Sequence, residues 1–223
     1  MALISTLLPL IFWLSYGTIS KQISRKRPSI TAMMIHQRYR WVANAVRRDT
    51  PFDAILTGNI MNSVSFFASS SVLLILAMFA IFGQLNELLP ALRTVQVNGA
   101  YSVGEYQLHL IIMLVMVVLA FLSFTLSLRQ FNHFCILLGA ADHSETADPE
   151  ETAAMAQLNA QGARYFNNGI RAYYFSIANV GWFISAEIGI GLAILTFIFI
   201  VHREFLSKSN EAISRLPQPK DKS

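Results

Sequence analysis

Four apolar stretches, each near the length of a bilayer crossing and separated by segments that hold nearly all the charge, constrain this chain more than anything else in it. They cover residues 2–19, 64–82, 108–128 and 175–201. An α-helix rises about 1.5 Å per residue, so about 20 apolar residues cross a hydrocarbon core of about 30 Å. Lipid offers no partner to backbone N–H and C=O groups, so each stretch has to satisfy them internally, as a helix. The first stretch is the shortest and contains Pro9, whereas the other three are free of proline and rich in Leu, Ile, Phe and Val. The expected fold is an all-α membrane protein of about four transmembrane helices, with surface or protruding helices on the cytoplasmic side.

Composition agrees with that pattern. The chain is 54% hydrophobic and 13% charged, about half the charged fraction of an ordinary soluble domain. Its formal net charge is +4, and the basic residues flank apolar stretches, which points to topology signals and lipid headgroups and argues against nucleic acid. Cys135 is the only cysteine, which excludes an internal disulfide and a cysteine-based metal cage. Residues 1–19 lack the basic start and small-residue cleavage pattern of a secretory signal, so they are read as a span. Residues 1–207 are expected to form one membrane domain, and 208–223 a disordered tail rich in Pro and Lys near its end.

The loop after the first stretch carries Lys21, Arg25, Lys26, Arg27, Arg38, Arg40, Arg47 and Arg48, which assigns it to the cytoplasm by the positive-inside rule. Within it Ile30, Met34, Trp41 and Ala45 recur near helical spacing, as in a helix lying on the membrane surface. Thr50, Pro51 and Asp53 read as a helix start, and a helix from there to Phe82 would be about 48 Å long, so its first turns should project into the cytoplasm. The segment from Gly83 to Tyr106, with Pro90, Asn98, Gly99 and Gly104 and the single basic residue Arg93, reads as a loop on the far side. A second cytoplasmic connection carries Asp142, Glu145, Asp148, Glu150 and Glu151, with Asp148-Pro149 opening an Ala-rich helix. Arg171, Tyr173, Tyr174 and Trp182 are placed at the interface before the last span, and four crossings put both termini outside. The membrane expected is the bacterial inner, or cytoplasmic, membrane.

Three strings, GNIMNSVSFFASSSVLLI at 58–75, SLRQFNHFCILLGA at 127–140 and RAYYFSIANVGWF at 171–183, resemble a family of small membrane proteins found in bacteria and plants and catalogued as domain of unknown function five-nine-nine. The resemblance covers most of residues 1–205. It implies a four-span membrane topology and carries no activity.

Glu187 is the residue most suggestive of chemistry, because a single span over 175–201 would place it near the midpoint. A charge there costs about 2.5–3.5 kcal/mol on insertion scales, so it must be protonated, paired or wet. It would share a helical stripe with Ser176, Val180, Gly191 and Ile194. The functional reading is a proton- or cation-binding carboxylate; the structural reading, about equally weighted, is a protonated Glu bonded to a neighbouring helix. On the second span Asn59, Asn62, Ser65 and Ser69, with Ala77 and Ala80, form a small polar stripe, which suits close helix packing about twice as readily as a pore lining. Gly189 and Gly191 are read as close-packing positions. Arg38, Arg40 and Trp41 on the cytoplasmic loop, with Arg171, Tyr173 and Tyr174, are the lipid-interface candidates.

His36, His109, His133, His143 and His202 show neither the i, i+4 spacing nor the HExxH pattern of a metal site. There is no Gly-rich phosphate loop, no GxSxG elbow and no paired catalytic carboxylates, so no catalytic residue, metal or cofactor is assigned. Two functions are carried forward. One is an oligomeric channel or transporter for a small ion, with the stripe of the second span and Glu187 near the path; the other is a structural or accessory subunit binding lipid, anionic headgroups or partner proteins. A homo-oligomer is expected in either case, since the polar stripe and Glu187 both have to avoid lipid. A membrane enzyme is the weakest alternative.

Overall fold

The computed structural model describes residues 1–48, 51–97, 101–141 and 148–216. Its helices are α1 (Ala2–Ser24), α2 (Ile30–Ala45), α3 (Phe52–Gly83), α4 (Leu85–Val95), α5 (Val103–Ala140), α6 (Pro149–Asn179), α7 (Ala186–Phe205) and α8 (Lys208–Ser214), with a short 3-10 turn, Val180–Phe183, between α6 and α7. The protein is all-α, and four helices are long and apolar enough to cross a membrane: α1, α3, α5 and the one beginning at Ala186. Asp142 and Glu145 of the expected acidic cluster, together with His143, Thr50, Asn98, Gly99 and the tail from Pro217, lie outside the described residues.

Stretch 175–201 is not one helix, and this changes the topology. α6 pairs antiparallel with α5: Gly162 lies against Phe131, Gly169 against Phe124, and the Asn179 carbonyl bonds to His109. α6 therefore runs from the far end of α5 back to the level of His109, a fifth pass through the bundle, and α7 then returns beside it. Sequence signals for the break are local. Gly181 sits within the 3-10 turn, and the Ser185 hydroxyl accepts from the Ile188 N–H as the N-cap of α7.

The two termini consequently lie at opposite ends of the bundle, correcting the expectation that both are outside. Ala2 sits beside Trp182 at one end, its carbonyl accepting from the indole N–H at 3.3 Å. At the other end Asn210 of α8 donates to the Pro28 carbonyl ahead of α2. Among the described residues Arg93 is the lone Lys or Arg at the Trp182 end, while Lys21, Arg38, Arg164, Arg171, Arg203 and the rest gather at the α2 end. This is a cleaner positive-inside asymmetry than the four-crossing scheme allowed. α8 is a formed helix with Asn210 buried, where the sequence reading placed the start of a disordered tail.

Packing rests on close approach of backbones, the main way helices associate where lipid removes the hydrophobic drive. A methyl group at Gly169 would lie 2.5 Å from the Phe124 ring, and one at Gly162 3.0 Å from Phe131. Gly189 meets Ser5 of α1 and the Trp182 backbone, as the close-packing reading required, whereas Gly191 faces open space. The central core joins Val64 and Ala68 of α3, Met116, Ala120 and Phe124 of α5 and Ala172 and Phe175 of α6.

α2 does not lie freely on the membrane. Its Val42, with Val46 just beyond its end, packs against Phe134 of α5 and Met155 and Ala156 of α6, in the part of the bundle that extends past the apolar stretches. At the opposite end the expected loop contains α4, which buries Leu85 and Leu89 against Met78, Tyr106 and Trp182.

Candidate functional site

At the basic end α1, α2, α6 and α7 enclose a cavity of about 150 Å³ into which Arg38, Arg171 and Arg203 project with one acid, Glu204. Each cation is delivered by a different helix. Arg38 leaves α2 and donates to Asn159 of α6, and burial lowers its guanidinium below the usual value. Arg171 leaves α6 about two turns inward from Arg164, donates to Asn168 and lies 4.5 Å from the centroid of the Tyr16 ring. Arg203 comes from the last turn of α7 and donates to the Tyr174 hydroxyl at 3.0 Å. Tyr174 thus marks the rim, and Trp13 ties α1 to the same region by donating to the Asn168 carbonyl at 3.1 Å.

Glu204 does not neutralise this set. Its Oε1 accepts from the Thr31 N–H at 2.9 Å, while the Ser29 hydroxyl accepts from Ala32, so the carboxylate serves as part of the α2 N-cap. Three guanidinium groups face one carboxylate, leaving the chamber about two positive charges in excess at neutral pH. Tyr16 is 3% exposed and lines the chamber, and its hydroxyl has no hydrogen bond of good geometry among the described residues. Asn159 Nδ2, beside Arg38, is likewise buried and unsatisfied. Buried polar atoms of this kind ordinarily have partners.

Two further cavities adjoin the chamber. A polar one of about 610 Å³ shares Tyr16, Asn167 and Arg171 with it and adds Lys21, Ser20 and Arg164. A second, of about 330 Å³, shares Arg38, Ala163 and Asn167 and is otherwise walled mainly by Ile60, Val64, Phe131 and Phe166. Chemically the assembly can hold an anion through charge-assisted N–H···O bonds, with arginine forks suited to phosphate or carboxylate oxygens.

The sequence-derived candidates divide. Arg38, Arg171 and Tyr174 meet at this site. Arg40 is exposed on α2 away from it. Trp41 turns inward, donating to Asp53 at 2.7 Å and packing edge-on to Phe134, and Arg48 completes the pairing with Asp53 at 2.9 Å. Tyr173 also turns inward, its hydroxyl 2.6 Å from that of Ser71 and donating to the Phe67 carbonyl.

Glu187 is not at a span midpoint. It is exposed in the first turn of α7, where the helix dipole favours a carboxylate. Its neighbourhood includes Tyr101, whose hydroxyl is raised above its usual range by burial and, secondarily, by the Glu187 and Glu105 charges. Ser176 is buried on α6, a different helix from Glu187, so the two do not form one stripe. Asn59, Asn62, Ser65 and Ser69 are all exposed on the outer face of α3.

Sequence reading missed a buried polar knot at the far end. His109 is fully buried; its Nε2 bonds to the Asn179 carbonyl and its Nδ1 to the Thr6 hydroxyl, each at 3.1 Å. A carbonyl only accepts, so Nε2 carries a proton, and in the neutral ring Nδ1 then accepts from the Thr6 hydroxyl. Trp182 stacks on this ring at 4.2 Å and on Tyr101, also at 4.2 Å, sealing the end with aromatic surface. Spacing could not have found His109, because Thr6 and Asn179 are distant in sequence.

Comparison with curated proteins and with solved structures finds no match. Residues 4–209 match the model of one family, described as a protein of unknown function, DUF599, and since this takes in nearly the whole chain, the protein belongs to that family.

Proposed function

We propose that this membrane protein binds an anionic, phosphate-bearing group at its basic end and acts as a structural or accessory component there. The observation that carries the reading is the convergence of Arg38, Arg171 and Arg203 on one cavity whose only acid, Glu204, is engaged at the α2 N-terminus. The basic end is then the cytoplasmic side, by the positive-inside rule, and the inner membrane of a bacterium is the setting proposed. Juxtamembrane cations of this kind attract anionic headgroups by about 1 kcal/mol each.

The test uses the purified full-length protein in phosphatidylcholine nanodiscs with and without phosphatidylglycerol. Anionic lipid should raise the melting temperature of the wild type and leave an Arg38→Gln, Arg171→Gln double variant unmoved. Equal shifts in both would sink the reading.

A second reading, an ion path, retains one supporting observation: the outward stripe of Asn59, Asn62, Ser65 and Ser69. A path along it requires a second copy of the chain packed against α3, so this reading stands or falls with a homo-oligomer. Cross-linking through cysteines placed at Ser65 and Ser69, read beside ion flux in reconstituted liposomes, addresses both; a monomer with no flux removes it.

A further inference from the structure

We infer that the ligand of the arginine chamber is a glycerophospholipid held at both ends of its polarity, its phosphate among Arg38, Arg171 and Arg203 and one acyl chain in the adjoining apolar cavity. The inference deepens the anion-binding reading and rests on it. It is carried by the linings of three adjoining cavities. One is lined largely by polar side chains, among them Lys21, Ser20 and Arg164; the arginine chamber is cationic; the third is walled mainly by Ile60, Val64, Phe131 and Phe166. The chamber shares Arg171 with the first and Arg38 and Ala163 with the third, and Asn167 lines all three.

A free phosphate would occupy the arginine chamber alone. Beyond the shared Arg38 and Asn167 the apolar cavity offers it only the Ser63 hydroxyl, already spent on the Asn59 carbonyl at 3.0 Å. A hydrocarbon chain suits such a surface, because covering its apolar area removes that area from water. Depth agrees as well. Val64 is where the apolar stretch of α3 begins, so the cavity lies at the level where a lipid's glycerol and upper chain segments meet the hydrocarbon. The Tyr16 hydroxyl lines both the polar and the cationic cavity without a hydrogen bond of good geometry among the described residues, and is placed to meet a phosphate or glycerol oxygen.

The experiment uses full-length protein in phosphatidylcholine nanodiscs containing phosphatidylglycerol with a diazirine on one acyl chain, irradiated and mapped by peptide mass spectrometry. Glycerol phosphate serves as the soluble headgroup probe, its binding followed by calorimetry. Adducts are expected within residues 60–64 of α3 and 163–167 of α6, falling about tenfold in Ile60→Trp, which fills the apolar cavity from α3, a helix that carries none of the three arginines. Binding of glycerol phosphate should be unchanged in that variant and at least tenfold weaker than that of the lipid. Ser63→Trp, at the exposed rim, repeats the test if Ile60→Trp does not fold. Lipid-specific labelling that survives both tryptophans, or adducts spread evenly over the outer face of α3, overturns the acyl-chain route while leaving anion binding intact. No preference for phosphatidylglycerol over an identically labelled phosphatidylcholine, together with no glycerol phosphate binding, overturns both.

Discussion

The two ends of the bundle differ in what surrounds their polar residues. At the Trp182 end every nitrogen of His109 is bonded, and aromatic rings close over it: Tyr101, Trp182 and His109 stack in series, with Tyr106 and Phe183 packed edge-on or tilted around them. At the α2 end the polar groups surround open volume and include cations that share one engaged carboxylate. The His109 cluster is closed over by rings and fastens the helices that meet there, even though the buried side chains of Ser5 and Asn179 beside it lack partners among the described residues, whereas an open and electrostatically unbalanced chamber is arranged for something else to enter. Stability should therefore be concentrated at one end and binding at the other.

The strongest way to break that division is Trp182→Ala. It removes a fully buried side chain, two ring stacks and the bond to the Ala2 carbonyl, and should cost about 3–5 kcal/mol of stability. Denaturant titration in mild detergent measures this, and the surviving folded fraction should still bind anionic lipid. Gly189→Ala tests the same end more gently. The added methyl would meet Ser5 and the Trp182 backbone, and overpacking of this kind costs about 1–3 kcal/mol.

Arg171→Gln asks the converse question of the basic end. It should weaken binding of phosphatidylglycerol about tenfold, or about 1.4 kcal/mol, with a smaller change in unfolding free energy. A large loss of stability with unchanged lipid affinity would reverse the assignment of the two ends. The smallest effect expected is that of Glu187→Gln, where the favourable placement in the first turn of α7 is worth about 0.3–1 kcal/mol. Lipid binding should not move. A variant that abolishes a protein-dependent ion flux would instead restore Glu187 to a path.

A second contrast explains why the site was only half legible. α3 is strongly apolar yet presents Asn59, Asn62, Ser65 and Ser69 outward, while α6, with Asn159, Gly162, Asn167, Arg171 and Asn179, runs through the interior. Hydropathy finds helices that can face lipid, so α1, α3 and α5 were recoverable from composition alone. It passes over a helix that other helices shelter, because that helix need not be apolar. For the same reason the apolar run across 175–201 concealed a break: the signals at Gly181 and Ser185 are each one residue deep, against a long hydrophobic background. Once that break was missed, Glu187 moved to a false midpoint and the C-terminus to the wrong end. Arg38, Arg171 and Tyr174 were recognisable singly as interface residues, but Arg203 and Glu204 joined them through the return of α7.

The sequence by itself determined that this chain is an all-α membrane protein with four helices able to cross a bilayer, because a hydrocarbon solvent admits few other ways to satisfy so long an apolar backbone. It also determined where the positive charge lies along the chain, and the family to which the chain belongs. Only the tertiary structure decided that α6 passes through the bundle, that the termini lie at opposite ends, and that three arginines from three helices face one cavity. Those outcomes depend on contacts between residues far apart in sequence, such as Gly169 with Phe124 and His109 with Asn179, and local periodicity carries no record of them.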